Sequence, residues 1–317
     1  MLEILKRMIL EFQERPMRKV ATRNLRFPML EGKATIITGM RRTGKTSFCY
    51  QKMTELIAAG TDKTQLLYLN FEDDRLYGFK VNDCQSILDA FYSLYPENRQ
   101  KECYFFLDEI QNVTDFPKVL DSLYIKKNID IYVTGSNAYM LSSEIATMIS
   151  GRYIQIEMLP LSFKEYMEST GSMNDRGIKY AEYLQNSSFP FTLELKNQPD
   201  EIRDYLEGIY NTIVVKDIIN RKKITDTMML KSVLRFVFDN IGNPLSSKKI
   251  ADTMTSEGRK IDTKTVEKYL EAFSESYIIY QAKRYNIKGK QDLKALEKYY
   301  IVDHAFTIIG EGVSIKV

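Results

Sequence analysis

The sequence predicts an α/β protein in which a parallel sheet is followed by a mostly helical region. In the first half, short apolar runs rich in β-branched and aromatic residues alternate with helical periodicity, as in right-handed βαβ units. Beyond Pro160 the predicted strands stop, and helical periodicity dominates from Ile202 onward. A loop with two glycines joins the first predicted strand to the helix that follows it. Together these observations favour a parallel sheet with both faces covered by helices.

The strands of the sheet are predicted from five apolar runs. They cover residues 33–38, 65–71, 103–107, 130–134 and 153–158. Helices are predicted at 45–58 and 86–95, stopped by Gly60 and Pro96. Before the first strand, apolar residues recur at helical spacing among charges, so an amphipathic amino-terminal helix is expected to pack on the protein.

The second half is expected to consist mainly of helices. Residues 171–200 carry Gly, Asn, Ser and Pro and are expected to form a connection. Ser246 and Thr263 are predicted N-caps. Helices are predicted over 161–170, 205–219, 228–241, 246–256 and 263–274, and β-rich runs over 277–285 and 298–302.

Length and charge indicate two domains. A chain of 317 residues exceeds the usual size of a single core. Residues 216–300 contain 18 basic and 11 acidic side chains, whereas the whole chain has a net charge of only +3. We expect an amino-terminal helix and lead-in over 1–30, an α/β domain over 31–190 and a helical region over 191–317.

Composition excludes several classes of protein. No apolar run approaches the about 18 residues of a membrane span, and the amino terminus lacks the features of a signal peptide. Cys49, Cys84 and Cys103 are odd in number and far apart, so neither a disulfide framework nor a zinc site is predicted. We therefore expect a cytoplasmic protein with buried thiols and no membrane segment.

Residues 39–46, GMRRTGKT, match the phosphate-binding pattern G-x-x-x-x-G-K-[ST] in full, with a strand before it and a helix after it. The two glycines let the backbone N–H groups converge on a phosphate, and the helix adds its positive amino-terminal end. Lys45 is expected to reach the β- and γ-phosphates and Thr46 to bind Mg²⁺. Arg41 and Arg42 either approach phosphate or face solvent. The predicted contacts with ATP, or another nucleoside triphosphate, are Gly39, Arg42, Thr43, Gly44, Lys45, Thr46 and Ser47.

Two adjacent acids follow a buried strand. Asp108 and Glu109 end the run FFLDE, at the edge of the sheet where ligands of open α/β sheets bind. Asp108 is expected to hold Mg²⁺, and Glu109 to polarise the water that attacks the γ-phosphate. An extra strand between the loop and these acids predicts the sheet order 5-1-4-3-2. The acidic pair favours water activation over phosphoryl transfer to a small molecule, which is the alternative for such a loop.

Two further positions are candidates for sensing or stabilising the γ-phosphate. Ser136 and Asn137 follow the fourth strand, next to the glycine loop in the predicted order, and either one is a candidate sensor of hydrolysis. Arg152 is a candidate for stabilising transition-state charge, in cis or from a neighbouring subunit. The alternatives are a polar turn for the first pair and a surface or ion-paired side chain for Arg152.

Three helices followed by a β-ribbon in the second half suggest a winged helix-turn-helix, with 263–274 as the recognition helix. The functional interpretation is DNA binding through basic side chains, with a salt-dependent affinity. The alternative is a winged helix that contacts the α/β domain or a protein partner and whose lysines are merely solvated. A homo-oligomer is a further alternative. The candidate DNA contacts are Lys264, Lys268, Lys283 and Arg284, supported by Lys260, Lys288 and Lys290.

The chain resembles the large prokaryotic family of AAA-type P-loop ATPases related to archaeal and STAND-type NTPases, in which a domain of unknown function follows the ATPase domain. The motifs that carry the resemblance are GMRRTGKTS, YLNFEDDR, FFLDEIQNV, VTGSNAYML and SGRYIQIEMLPLSFKEY, with TVEKYLEAFSESYIIYQAKRY and KYYIVDHAF in the second half. The resemblance implies Lys45 and Thr46 on phosphate and Mg²⁺, Asp108 on Mg²⁺, Glu109 as catalytic glutamate and Ser136 or Asn137 as sensor. It also strengthens Arg152 as a finger or conformational residue.

Members of that family continue past KYYIVDHAF into a nuclease-like fold, whose activity this chain, ending at Val317, is expected to lack. The sequence therefore predicts a slow Mg²⁺-dependent ATPase that drives a conformational cycle. The alternative is a nucleotide-dependent switch or DNA-binding regulator with little or no turnover.

Overall fold

Five parallel strands form the sheet of the first half in a computed structural model of the chain. The strands are β1 Ala34–Thr38, β2 Leu66–Asn70, β3 Cys103–Asp108, β4 Ile129–Gly135 and β5 Tyr153–Glu157. Their order is β2-β3-β4-β1-β5, and every neighbouring pair is parallel. The predicted fold class and the predicted order 5-1-4-3-2 are therefore confirmed. The structure describes residues 1–26, 33–126, 128–136, 138, 151–171, 175–195, 198–283 and 296–307.

The strands β1 and β3 are buried along their whole length, because helices cover the faces of the sheet. Helix α1 buries Leu5 and Ile9 in the same core as Phe91 and Phe105, as its amphipathic pattern predicts. A second core lies around Phe48, Phe106 and other apolar residues. The helices of this half are α1 Leu2–Glu14, α2 Lys45–Ala58, α3 Cys84–Leu94 and α4 Phe116–Tyr124.

The second half contains more helix than the sequence predicts. Residues 176–186, expected to be connection, form a helix whose Tyr180 and Tyr183 pack against the ring of Phe163. Tyr183 also packs against Tyr166, and its hydroxyl donates to the Leu161 carbonyl at 2.8 Å, so the helix packs through aromatic side chains rather than through a long apolar stripe. The helices are α5 Phe163–Ser169, α6 Arg176–Asn186, α7 Pro199–Thr212, α8 Thr227–Asp239, α9 Ser247–Ser256 and α10 Thr263–Glu275, and a π-helix, Ile213–Asn220, continues α7.

One of the two predicted N-caps is confirmed and the other is wrong by one residue. The side chain of Ser246 accepts a hydrogen bond from the Lys249 amide at 3.1 Å and caps α9. Helix α10 is capped by Asp262, not Thr263, because the Asp262 carboxylate accepts from the Thr265 amide at 2.8 Å. A carboxylate also suits the positive end of the helix.

A small antiparallel sheet accompanies the last three helices. Its strands are β6 Pro244–Leu245, β7 Ile279–Ala282 and β8 Glu297–Ile301, in the order β6-β8-β7. Helix α10 turns its apolar face inward through Val266, Leu270 and Phe273, which are buried.

The chain forms two compact units. One comprises Met1–Gly39 and Gly44–Met158, and the other comprises Met40–Thr43 and Leu159–Val317. The predicted domain limits at residues 30 and 190 stay predictions. Among the helices that the structure describes, none combines the length and the apolar character that crossing a membrane requires.

Candidate functional site

The glycine loop follows the carboxyl end of β1, and its backbone departs from ordinary conformations at both glycines. Gly39 has φ +150°, and a Cβ at this position would lie 2.2 Å from the carbonyl oxygen of Met158. Gly44 has φ +95° and stands at the amino terminus of α2. Only glycine fits the first position, and the second favours it strongly.

The remaining loop residues predicted to contact phosphate differ in exposure. Thr43 is buried, and its hydroxyl donates to the Met40 carbonyl at 2.9 Å. Arg42 is exposed and has φ +66°, a left-handed conformation that is uncommon for arginine. Ser47 lies in the first turn of α2 beside Thr46.

Lys45 is the most enclosed cation of the loop. Its side chain is 3% exposed, and its Nζ donates to the Gly39 carbonyl at 3.1 Å. The same Nζ lies 3.7 Å from Glu109 Oε1. The lysine therefore lies between the backbone of the loop and the carboxylate of the acidic pair.

The Asp108 carboxylate accepts hydrogen bonds from three hydroxyl groups. Thr46 and Tyr68 donate to its Oδ2 at 2.8 and 2.7 Å, and Thr134 donates to Oδ1. Burial raises the pKa of the Asp108 carboxyl, while the bond from Thr134 acts in the opposite direction. Burial also raises the pKa of Tyr68, which keeps its hydroxyl protonated as a donor.

Glu109 is held by its backbone as well as its side chain. Its φ of +53° turns the chain sharply after β3, and its amide donates to Thr134 Oγ1 at 2.9 Å. Gln111 Nε2 donates to Glu109 Oε2 and, at 3.2 Å, to Ser136 Oγ. The glutamate therefore has a defined orientation at the carboxyl edge of the sheet.

The oxygen donors at this edge suit a magnesium ion. Mg²⁺ in phosphate sites prefers one or two carboxylates and hydroxyl or phosphate oxygens. Thr46 Oγ1 and Asp108 Oδ2 lie 2.8 Å apart, which brings one hydroxyl and one carboxylate oxygen together beside the loop. The donor set is hard and oxygen-only, and it fits the predicted ion.

The predicted sensor residues are only partly described. Ser136 is buried and joins the cluster through Gln111, whereas Asn137 lies outside the described residues. Between the two candidates that the sequence left open, Ser136 is the one whose contacts are visible.

Arg152 lies at the amino-terminal end of β5, away from the glycine loop, and its predicted contact with the γ-phosphate stays a prediction. It immediately precedes β5, and its carbonyl accepts from the Ala34 amide at the start of β1. The glycine loop begins at the other end of β1, roughly 15–20 Å away at the usual rise of a strand. Arg152 is instead ion-paired with Asp121 at 2.9 Å and lies over the Tyr124 ring. In a parallel sheet the amino-terminal ends of all strands lie at one edge and the carboxyl ends at the other. A residue that precedes β5 therefore lies at the edge opposite the loop, which follows the carboxyl end of β1.

The contacts of three residues at the site were not predicted from the sequence. Tyr68 and Thr134 both bind Asp108, and Gln111 bridges Glu109 and Ser136. The sheet order contained a signal for Thr134, which lies near the carboxyl end of β4 beside β3, whereas Tyr68 is the middle residue of β2. Gln111 lies in a turn after the strand and carried no such signal.

Comparisons with known proteins match both halves of the chain. The AAA domain family matches residues 31–167, and a domain of unknown function, DUF8612, matches residues 178–309. An uncharacterized protein of Haemophilus influenzae is 38% identical over 274 residues, which cover 85% of this chain and 67% of the relative. An uncharacterized protein of Methanocaldococcus jannaschii is 30% identical over 298 residues, which cover 90% of this chain and 64% of the relative. The chain thus spans about two thirds of the length of these relatives.

A solved structure shares the fold. The Walker-type ATPase of Pyrococcus abyssi aligns with a TM-score of 0.54 over 97% of this chain and 95% of that chain. The two sequences are 16% identical, so the likeness concerns the fold.

Proposed function

The chain belongs to an AAA-type P-loop ATPase family, and from this premise we propose that it binds ATP with Mg²⁺ and hydrolyses it. The observation that carries the proposal is the cluster of Lys45, Thr46, Asp108 and Glu109. Their side chains are linked by contacts of 2.8 to 3.7 Å at one edge of the sheet. Each residue type matches a distinct need of phosphoryl transfer to water.

Binding of the triphosphate is assigned to the loop and to Lys45. The amides of the loop and the amino terminus of α2 supply partial positive charge, and Lys45 adds a full charge. Because Lys45 is buried, its attraction to phosphate is weakly screened by solvent. Thr43 and Gly44 maintain the curvature of the loop.

Thr46 and Asp108 would hold the magnesium ion, which when bound neutralises charge that develops on the phosphate oxygens. Tyr68 and Thr134 hold the Asp108 carboxylate from its two oxygens. This support fixes the direction in which Asp108 presents its lone pairs.

Glu109 is assigned the task of orienting and polarising the attacking water. A general base must be held within hydrogen-bond reach of its water, and both the left-handed turn and Gln111 restrict Glu109. Lys45 Nζ lies 3.7 Å from Glu109 Oε1. Ser136 is assigned the sensor position because Gln111 connects it to this glutamate.

Phosphate release tests the proposal. The comparison is between wild type, Glu109→Gln and a matched control, Glu97→Gln, whose side chain is exposed in a turn of the same unit. Binding of a fluorescent ATP analogue is measured for all three. We expect Glu109→Gln to lose about 10²-fold or more in turnover while still binding nucleotide, and the control to match wild type. Equal turnover in Glu109→Gln and wild type would overturn the assignment of Glu109.

A second candidate function is that of a nucleotide-dependent switch or DNA-binding regulator. It is supported by the order α8, β6, α9, α10, β7, β8 with sheet order β6-β8-β7, which is the arrangement of a winged helix. Lys264 and Lys268 on α10 and Lys283 after β7 are exposed. Arg284, Lys288 and Lys290 lie outside the described residues.

The two functions are separated by measuring duplex DNA binding at several salt concentrations with and without ATP. A regulator is expected to bind DNA with a steep salt dependence that weakens in Lys264→Glu/Lys268→Glu. The same variant serves the hydrolase as a control, since α10 contributes no side chain to the cluster around Lys45. Salt-independent or absent binding would leave the helical region as a protein-contact module.

Arg152 could act at the γ-phosphate of a neighbouring copy only if the chain forms an oligomer. Half of its side chain is exposed, so a role in the site of a neighbouring copy stays a prediction. For this role in a neighbouring copy we propose an oligomer that forms when ATP binds. Sedimentation with and without a slowly hydrolysed ATP analogue measures the oligomeric state and tests the proposal. Turnover that does not rise with protein concentration would argue against a contribution in trans.

A further inference from the structure

The third residue of the glycine loop is bound by an acid that lies 176 positions further along the chain. Arg41 Nε donates to Asp217 Oδ2 at 2.8 Å, and its Nη2 donates to Asp217 Oδ1 at 3.2 Å. This is the two-pronged geometry in which arginine binds a carboxylate most strongly. The sequence left Arg41 either on phosphate or in solvent, and neither alternative describes this contact.

The pair is shielded from water. The side chain of Asp217 is 8% exposed and that of Arg41 is 21% exposed. Apolar residues close to Asp217 in the sequence are also buried, namely Ile213, Val214 and Ile218. A carboxylate in such apolar surroundings needs a compensating cation, and removing one partner leaves the other with an uncompensated charge.

Asp217 lies on the π-helix Ile213–Asn220. This form of helix is rare, and its wider turns are frequently found at functional sites. The loop residues Met40–Thr43 belong to the same compact unit as this helix. The contact between Arg41 and Asp217 therefore lies within one compact unit.

The helix that carries Asp217 also contacts α10. Lys222 Nζ lies 2.8 Å and Arg221 Nη2 lies 3.8 Å from Glu275 Oε2, at the last residue of α10. Asp217 and Lys222 are five residues apart on one continuous helical segment. One continuous helical segment thus carries the ion pair with Arg41 of the glycine loop and two ion pairs with Glu275 of the proposed recognition helix.

We propose that Asp217 is a positioning residue for the nucleotide site: through Arg41 it fixes the conformation of residues 40–43 in which their amides meet the phosphates. This inference rests on the proposed binding of ATP. A loop between two glycines has many accessible conformations, and ordering it on binding costs free energy. The ion pair orders the loop beforehand, so nucleotide binds without that cost. Since linkage is reciprocal, nucleotide in turn stabilises the helix that contacts Glu275.

The test is a double-mutant cycle with Asp217→Asn, Arg41→Gln and the double variant, together with the reversed pair Arg41→Asp/Asp217→Arg. The control is Asp204→Asn, an exposed acid on α7 of the same helical segment. The dissociation constant of a fluorescent ATP analogue, KM and kcat for phosphate release, and the midpoint of urea unfolding are measured for each.

We expect each single variant to raise the dissociation constant and KM about tenfold with kcat nearly unchanged, since Glu109 and its partners are untouched. The double variant is expected to be no weaker than the singles, and the reversed pair to recover part of the affinity. Asp204→Asn is expected to bind like wild type. A purely structural role would shift the unfolding midpoint without this selective effect on KM.

Two results would overturn the inference. One is wild-type affinity in Asp217→Asn when that variant is folded, and the other is full additivity in the cycle. If Asp217→Asn does not fold, Arg41→Lys gives the same comparison, because it keeps the charge and loses the two-pronged geometry. A wild type that binds no ATP overturns the proposed function itself, whereas binding that is insensitive to the pair overturns only the role of Asp217.

Discussion

The amide of Glu109 donates a hydrogen bond of 2.9 Å to the hydroxyl of Thr134 and joins the residue after β3 to the end of β4. The same hydroxyl donates to Asp108, so one side chain orders both members of the acidic pair. The contact depends on the register in which β3 and β4 lie side by side. Thr134 is therefore a support for the site rather than a member of it.

Replacing Thr134 by valine removes this hydroxyl with almost no change in shape. We expect turnover to fall about tenfold or more, because bonds to charged groups are worth about 1.5–3 kcal/mol, while ATP affinity changes little. Thr134→Ser is the matched control and is expected to retain most of the activity. Steady-state phosphate release checks this, and equal rates for the valine and serine variants would contradict it.

The magnesium requirement is expected to depend on Thr46. In Thr46→Ala the hydroxyl beside Asp108 is lost, so half-maximal turnover should require a higher Mg²⁺ concentration at fixed ATP, by about tenfold. Thr46→Ser keeps the hydroxyl and should titrate like wild type. A magnesium titration of phosphate release measures the effect, and superimposable curves for the alanine and serine variants would refute it.

Gly39→Ala is expected to distort the loop. The new Cβ would meet the Met158 carbonyl oxygen at 2.2 Å, and backbone has to move to relieve the overlap. We expect a loss of about 1–3 kcal/mol in the free energy of unfolding and weaker ATP binding. Gly208→Ala, within α7 and in open space, is the control and should stabilise slightly. The free energy of unfolding in urea is measured for each variant. Equal values for Gly39→Ala and wild type would contradict the predicted distortion of the loop.

The three thiols are expected to be unreactive in the folded chain. Burial raises the pKa of Cys49 and of Cys84, and raises the pKa of Cys103 to about 11. A raised pKa keeps the thiol protonated at pH 8, and only the thiolate reacts with disulfide reagents. Native protein should therefore react slowly and denatured protein rapidly with three equivalents. Fast labelling of the native chain would show that a thiol is accessible.

Asp303 is expected to contribute strongly to stability. Its buried carboxylate accepts from the Ser187 hydroxyl at 2.9 Å, the Ser188 amide at 2.7 Å and the Ala305 amide at 2.8 Å. Asp303→Ala leaves these donors without an acceptor and should cost about 3 kcal/mol of unfolding free energy. The exposed Asp252→Ala serves as comparison, and similar urea midpoints for both variants would disprove the role.

Most of the fold was predictable because its signals are local. Each strand of the first sheet is a short apolar run, and the order followed from where the extra strand falls between the loop and Asp108. Residues 176–186 were missed because a helix that packs through Tyr180 and Tyr183 against neighbouring aromatic rings has no long apolar stripe. Its polar composition resembles that of a connection.

The site was predictable where chemistry follows sequence spacing. Lys45 and Thr46 are fixed by the loop pattern, and Asp108 and Glu109 by the end of a buried strand. Arg41 had no local signal, because its partner Asp217 is set only by tertiary folding. Arg152 as a contact of the γ-phosphate stays a prediction, and its ion pair with Asp121 agrees with the alternative that the sequence left open.

The position of Asp108 and Glu109 at the end of β3 limits where the chain can gain a residue without disturbing the site. Side chains alternate between faces in a strand, so one residue inserted before Leu107 within β3 would send the Asp108 carboxylate to the opposite face and bring Leu107 toward Thr46. An insertion beside Gly60, where a Cβ meets nothing within 4 Å, leaves every strand in register. Over evolutionary time the segment from β3 to its turn should therefore keep its length, while the turn around Gly60 is free to grow.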